Sequence, residues 1–293
     1  VLNDVFIYPR GGPADDQWLI EVDSAEAEKL FKHIKRYKLR AKFNVRLVEE
    51  SELNVWSVWQ GRDGQGTSSG TGWTPHTMGE NVAHDAQEIG CMDTRAPGMG
   101  RRLILTGDKT PTLDFDAEEA PEDAYRMRRY LKGVPEGQSE ILRETALPQE
   151  SNIDFMGGID YRKGCYVGQE LTIRTHHTGV VRKRILPVVL YGENEDIPTG
   201  LEYKPDSAIE TPPAETSISR FNKKGRSAGK WITGVGNIGL GLCRLEIMTN
   251  TVVQGEAGGY KEGDEFKMDW TDGNGEAKAV KVKAFVPKWH LTK

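Results

Sequence analysis

Lys163-Gly164-Cys165-Tyr166-Val167-Gly168-Gln169-Glu170 is the most informative stretch of the 293-residue chain. It places a cysteine between two glycines, directly after the cations Arg162 and Lys163. Glycine lets backbone approach a ligand closely and adopt positive φ. Six Lys and Arg residues (162, 163, 174, 182, 183 and 184) and one acid, Glu170, fall between positions 162 and 184. A positive field favours thiolate over thiol, and a thiolate is both a nucleophile and a soft metal ligand. Most isolated cysteines are inert core residues, but this setting raises the functional reading above that one. As a nucleophile Cys165 needs a base. His176 and His177 follow within twelve residues, and on a strand two neighbours face opposite ways, so at most one of them serves the sulfur. As a ligand Cys165 is not sufficient alone, because zinc and iron–sulfur sites want about four ligands. A lone thiolate can supply one ligand to a cluster shared with another protein.

Outward from this stretch the chain reads as α+β. Trp18–Val22 reads as a strand; Asp23 and Glu26 fit a capping box; Ala27, Leu30, Phe31, Ile34 and Tyr37 then recur at helical spacing. Phe43–Leu47 and Val55–Trp59 alternate like half-buried strands, and Leu103–Leu105 reads as a buried one. Pro121 opens a helix that Gly133 closes. Residues 61–72 hold five glycines, with no Lys-Ser or Lys-Thr to make a phosphate loop. Residues 193–216 carry seven acids against one lysine, with four prolines, and read as an exposed loop or insertion whose composition is compatible with disorder. From Ser217 the Gly-punctuated, strand-like run suggests a small barrel or sandwich. Gly234-Val235-Gly236-Asn237-Ile238-Gly239 matches a dinucleotide pattern, but a strand-like run follows it where a nucleotide site needs a helix, so it reads as a tight barrel turn. Asp93-Thr94-Arg95 with Arg101 and Arg102 suits either a carboxylate-bearing ligand or a salt-bridged turn.

Composition excludes several classes. The net charge is −5, which speaks against a general nucleic-acid binder. No apolar run reaches the ~18 residues of a membrane span. Three scattered cysteines make no disulfide framework and fit a reducing compartment.

Together these segments resemble the folate-binding YgfZ family, relatives of the glycine-cleavage T-protein aminomethyltransferases. The segment 163–170 resembles that family's signature. Asp93-x-Arg95, Gly100-x-Arg102, Gly133–Gly137, Leu147–Asn152 and Gly236–Leu240 extend the likeness. Thr175–Arg184 and Phe285–Trp289 are similar to the mitochondrial branch, an iron–sulfur cluster assembly factor. The resemblance implies an α+β fold: a T-protein-like ring of two α+β domains (1–52 and 53–180, the second carrying the signature) and a C-terminal β-barrel (181–293) with the acidic loop 192–216. It also implies that the N-terminal part of the first domain lies upstream of Val1.

For function, the resemblance implies a factor of the mitochondrial matrix that helps mature [4Fe–4S] proteins. It would act with an A-type scaffold partner and neither nucleic acid nor membrane, the chain being a monomer by itself. Within the motif (Lys163, Gly164, Cys165, Tyr166, Gly168, Gln169, Glu170), Cys165 would supply a ligand to a [2Fe–2S] cluster bridged with that partner. Arg174, His176, His177, Arg182, Lys183 and Arg184 would dock the partner, and Asp4, Asp93, Arg95 and Arg102 would bind tetrahydrofolate. No catalytic residue is assigned. The alternative is a folate-dependent aminomethyl transferase or a folate-binding module. The T-protein has paired aspartates where this chain has Asn3-Asp4, and an Arg-Thr-Gly-Tyr-Thr-Gly-Glu type motif that is not found here.

Overall fold

The structure is a computed structural model that describes residues 1–10, 17–60, 89–113, 115–166, 168–177, 179–221, 225–253 and 259–291. The glycine-rich stretch 61–72, and Val167 and Thr178, lie outside the described residues.

Strands β1 (Phe6–Arg10) and β2 (Gln17–Glu21) pair antiparallel, with Tyr8 opposite Leu19. Asp23 Oδ1 accepts from Ala25 N at 3.0 Å and caps a 3-10 turn, Ser24–Glu26, that leads into α1 (Ala27–Tyr37). Glu26 does not complete a capping box; it pairs with Lys29 and Arg143 instead. β3 (Leu53–Val58), β4 (Ile89–Met92) and β5 (Arg101–Thr106) form a second sheet in the order β3-β5-β4. The central strand β5 buries Arg102, Leu103, Ile104 and Leu105. Residues 43–47 form no strand. Alternation alone does not make one; its backbone groups need a partner strand, and Phe43 and Leu47 stay exposed.

The helix α2 (Glu122–Lys132) starts at Pro121, with Glu122 and Asp123 in its first turn. There their charge complements the helix dipole. It stops at Gly133, whose φ of +68° is left-handed. Val134 N reaches back to Arg129 O at 3.0 Å, so the end is a Schellman motif. A Cβ at position 133 would stand 3.0 Å from Pro187 and 3.2 Å from Pro287, so close approach as well as conformation requires glycine there.

After a helix α3 (Gln169–His177), the chain closes a six-stranded antiparallel barrel. Its strands are β6 (Lys183–Tyr191), β7 (Ser217–Arg220), β8 (Gly229–Val235), β9 (Ile238–Arg244), β10 (Phe266–Thr271) and β11 (Ala277–Ala284), in the order β10-β11-β6-β9-β8-β7, with β7 pairing back onto β10. A four-residue helix, α4 (Leu245–Met248), follows β9. Leu186, Val188, Leu190, Ile218, Trp231 and Phe266 pack into one core. Alternate residues Ile185 and Val189 of β6 pack with Tyr130 of α2. β6 is therefore covered on both faces, which is why it reads as a nearly continuous apolar run. Gly234–Gly239 is the β8–β9 hairpin, with Gly236 at φ +57°. The acidic segment 193–216 carries no helix or strand, yet it is not a free insertion. Leu201, Tyr203 and Ile209 pack on the barrel cores, and Asn237 fastens it through Lys204 N at 2.8 Å and Glu202 O at 3.0 Å. Its apolar residues, outnumbered in composition, supply the anchors.

No helix among the described residues is long and apolar enough to cross a membrane.

Candidate functional site

Cys165 lies at the exposed tip of a loop whose two ends are held. At the entry, the Tyr161 ring stacks on His176 of α3, with centroids 3.7 Å apart. At the exit, Gln169 opens α3. Its Oε1 accepts from Tyr166 N at 3.0 Å, and its Nε2 lies 3.4 Å from Cys165 Sγ. Lys163 sits over the Tyr166 ring at 4.4 Å. Gly168 takes φ +83° just before the helix, a conformation L side chains rarely adopt. The helix in turn is bound to the body through Thr172, whose carbonyl accepts from buried Gln149 Nε2 at 2.8 Å. The loop is thus anchored while its cysteine faces solvent.

The two other cysteines differ in kind. Cys243 is fully buried in the barrel, and burial pushes its thiol up to about 12. Cys91 is half-buried on β4; burial first, and then the nearby Asp93 carboxylate, raise its thiol. Neither joins Cys165. Among the described residues, no three His, Cys, Asp or Glu side chains come together as a metal site.

His176 and His177 lie on a helix, not a strand, and both are exposed, with ring centroids 4.9 Å apart. Of the expected docking cations, Arg174 and Arg182 are on the surface, and Glu170 of the motif is exposed as well. Lys183 is half-buried and paired with Glu150 at 3.0 Å. Arg184 is a correction: it is buried, forked onto Asp154 and bonded to Gln149 O at 2.6 Å, with its guanidinium 3.6 Å from the Phe155 ring centroid. It holds the loop before the motif against β6 and cannot meet a partner. Composition showed a basic triplet, but β6 begins at Lys183 and is covered on both faces, so only Arg182, ahead of the strand, stays exposed.

The expected folate residues come together, but as a network of their own. Arg95 binds Asp93 Oδ2 at 2.7 Å and Glu136 Oε2 at 2.6 Å. Arg102 pairs with Glu21 and donates to Tyr125. The Phe6 ring lies beside both guanidinium groups, at 4.6 and 4.3 Å. Asp4 Oδ2 accepts from Gly137 N at 3.0 Å. Burial alone would raise the Glu136 carboxyl, but Arg95, Arg102 and Arg129 outweigh it and hold it at about 2. The adjoining cavity, of about 470 Å³, is lined by six carboxylates (Asp4, Glu21, Asp23, Glu122, Glu136 and Glu140) against two cations, Arg126 and Arg129. Such a lining repels the carboxylates of a folate tail, while Arg95 and Arg102 are already ion-paired. These four residues do not fit tetrahydrofolate as a holding set, and no folate step enters the functional reading. Sequence reasoning missed Glu21, Tyr125 and Glu136, the acceptors that make the arginine turn structural. Glu136 stands within Gly133–Gly137, but nothing local linked it to Arg95.

Residues 182–291 match the family of CAF17 C-terminal beta-barrel domains. The whole chain is 50% identical to the "iron-sulfur cluster assembly factor IBA57 homolog, mitochondrial" of Chaetomium globosum, covering 70% of that protein. It is 52% identical to the protein of the same name in Pyricularia oryzae, over 99% of this chain and 72% of that one. It is 46% identical to its counterpart in Aspergillus clavatus, over 99% and 69%.

Proposed function

The chain belongs to the IBA57 family of mitochondrial iron–sulfur cluster assembly factors, and from that premise we propose that it works with an A-type scaffold protein in maturing [4Fe–4S] proteins in the mitochondrial matrix. Cys165 supplies one ligand to a [2Fe–2S] cluster shared across the interface. The cluster is cargo, handed on rather than kept. The observation that carries this reading is the exposure of Cys165 at the tip of a loop anchored at both ends. A flexible thiol would lose conformational entropy on every capture, and a buried one could not reach a partner. A [2Fe–2S] cluster takes four protein ligands, two on each iron beside the bridging sulfides, so one thiolate leaves the remainder to the partner. Arg162 and Lys163 immediately precede the Cys165 tip, and Arg174 and Arg182 are exposed further along the chain; this positive charge complements an anionic cluster and an acidic docking face.

The same reading assigns the two small sheets and the barrel to a T-protein-like ring, with α+β domains at 1–52 and 53–180 and the barrel at 181–293.

The test is anaerobic gel filtration of the protein with a cluster-loaded A-type scaffold, following visible absorption and co-eluting iron. Wild type should give a new shared-cluster spectrum in a heteromeric peak, and Cys165→Ala should not. A Cys165→Ala complex with the wild-type spectrum would overturn the assignment.

A further inference from the structure

We propose that Gln169 is the positioning residue of Cys165: one end of its side-chain amide fastens the loop, and the other directs an N–H at the sulfur. The inference rests on Cys165 being the cluster ligand. Its geometric basis is one side chain with two contacts. Gln169 Oε1 accepts from Tyr166 N at 3.0 Å, and Gln169 Nε2 stands 3.4 Å from Cys165 Sγ. Gln169 N in turn bonds Tyr166 O at 3.2 Å, so residues 166 and 169 hold each other reciprocally as a helix start does.

The amide's orientation follows from chemistry. The Tyr166 backbone group is a donor, so it requires the amide oxygen. The NH2 end is then obliged to face the sulfur. A rotated amide would set N–H against N–H and lose both contacts. The donor has two effects on a ligating thiolate. It fixes the direction in which the sulfur lone pairs point, and it withdraws charge from the metal–sulfur bond, as hydrogen bonds to cluster sulfurs do generally. Capping alone asks only for an acceptor at position 169, which glutamate would also supply. Directing a proton at sulfur asks for the amide.

That difference makes Gln169→Glu the decisive variant. It keeps an oxygen for Tyr166 N, and so the helix start, but replaces the donor facing Cys165 with an acceptor. Its thermal midpoint should stay within a few degrees of wild type. The experiment loads the full chain and a cluster-bearing A-type scaffold anaerobically, for wild type, Cys165→Ala, Gln169→Glu and Gln169→Ala. It records the thiolate-to-iron absorption bands and the half-life of the shared cluster under an iron chelator. We expect Gln169→Glu to form the shared cluster with displaced bands and a half-life shortened about tenfold. Gln169→Ala should behave similarly and melt lower as well. If Cys165→Ala loses the cluster but Gln169→Glu matches wild type in bands and half-life, the positioning role is overturned while the ligand assignment stands. If Cys165→Ala matches wild type, both fall.

Discussion

Arg184 and Asp154 meet through two parallel hydrogen bonds, each 2.8 Å long. This fork joins the first residues of the barrel to the segment that leads into the Cys165 loop. Both side chains are largely shielded, with 9% and 16% of their surface exposed. Removing one partner of such a pair leaves the other charge without its counterion. Asp154→Ala should therefore lower stability by about 3 kcal/mol, and Arg184→Glu should fail to fold rather than fold and dock poorly. Urea unfolding followed by tryptophan fluorescence checks both. A soluble, wild-type-stable Arg184→Glu would contradict the placement.

The surface cations behave otherwise. Arg174 and Arg182 are exposed, so Arg174→Glu and Arg182→Glu should fold normally and weaken association with an A-type scaffold at low salt. The Debye length shrinks from about 10 Å at 0.1 M to about 3 Å at 1 M, so the deficit should fade as salt is raised. A deficit that persists unchanged in high salt would point to lost packing rather than charge.

Acid should erode the stability that the Glu136 network contributes. Its carboxyl lies at about 2 in the folded chain, below its ordinary value of 4.5. A depressed carboxylate contributes stability that is fully present above the unfolded value. That contribution declines as the pH falls below 4.5 and is gone below about 2. Wild type should lose stability more steeply than Glu136→Gln across that window, and the two curves should converge at its acid end. Parallel curves from pH 5 to pH 2 would show that the carboxyl is not held down by Arg95 and Arg102.

Trp231 fills the barrel against two glycines of the β8–β9 hairpin. A Cβ at Gly234 would come within 2.6 Å of the indole, and one at Gly239 would overlap it. Gly239→Ala should cost about 1–3 kcal/mol through overpacking, visible as a lower urea midpoint with an unchanged slope. The Thr233 carbonyl would overlap that Cβ as well, so wild-type stability would mean that both the indole and the β8 backbone can shift.

The three thiols should separate by reactivity. Iodoacetamide on the native chain should add one alkyl group, at Cys165, well before Cys91 reacts. Cys243, buried and with its thiol pushed up to about 12, should react only in denaturant. Peptide mapping by mass spectrometry reads the order, and early labelling of Cys243 would argue against the closed barrel.

Much of this was legible because it is local. Pro121 and Gly133 bracket α2 within a residue, since capping needs only neighbours in sequence. Gly164, Cys165 and Gly168 announced an unusual loop for the same reason. Residues 43–47 misled because alternation marks a face without guaranteeing a partner strand. The arginine turn at 95–102 left two readings open because its acceptors are distant: Glu21 lies 81 residues from Arg102, and Glu136 lies 41 from Arg95. Lys183 and Arg184 show a further limit. Composition gives the charge of a segment, whereas the layers packed on both faces of β6 decide which cations meet water.

Trp289 donates its indole N–H to Lys132 O at 2.9 Å, across 157 residues. That carbonyl belongs to the last turn of α2, beside the left-handed Gly133. A nascent chain emerging from the ribosome therefore carries α2 long before it carries the residue that seals its end. The barrel is under the same constraint, since β6 waits for β11 and β7 for β10. Sealing of α2 against the barrel thus waits for residue 289, and a chain interrupted before it would expose the seam between helix and barrel to proteolysis.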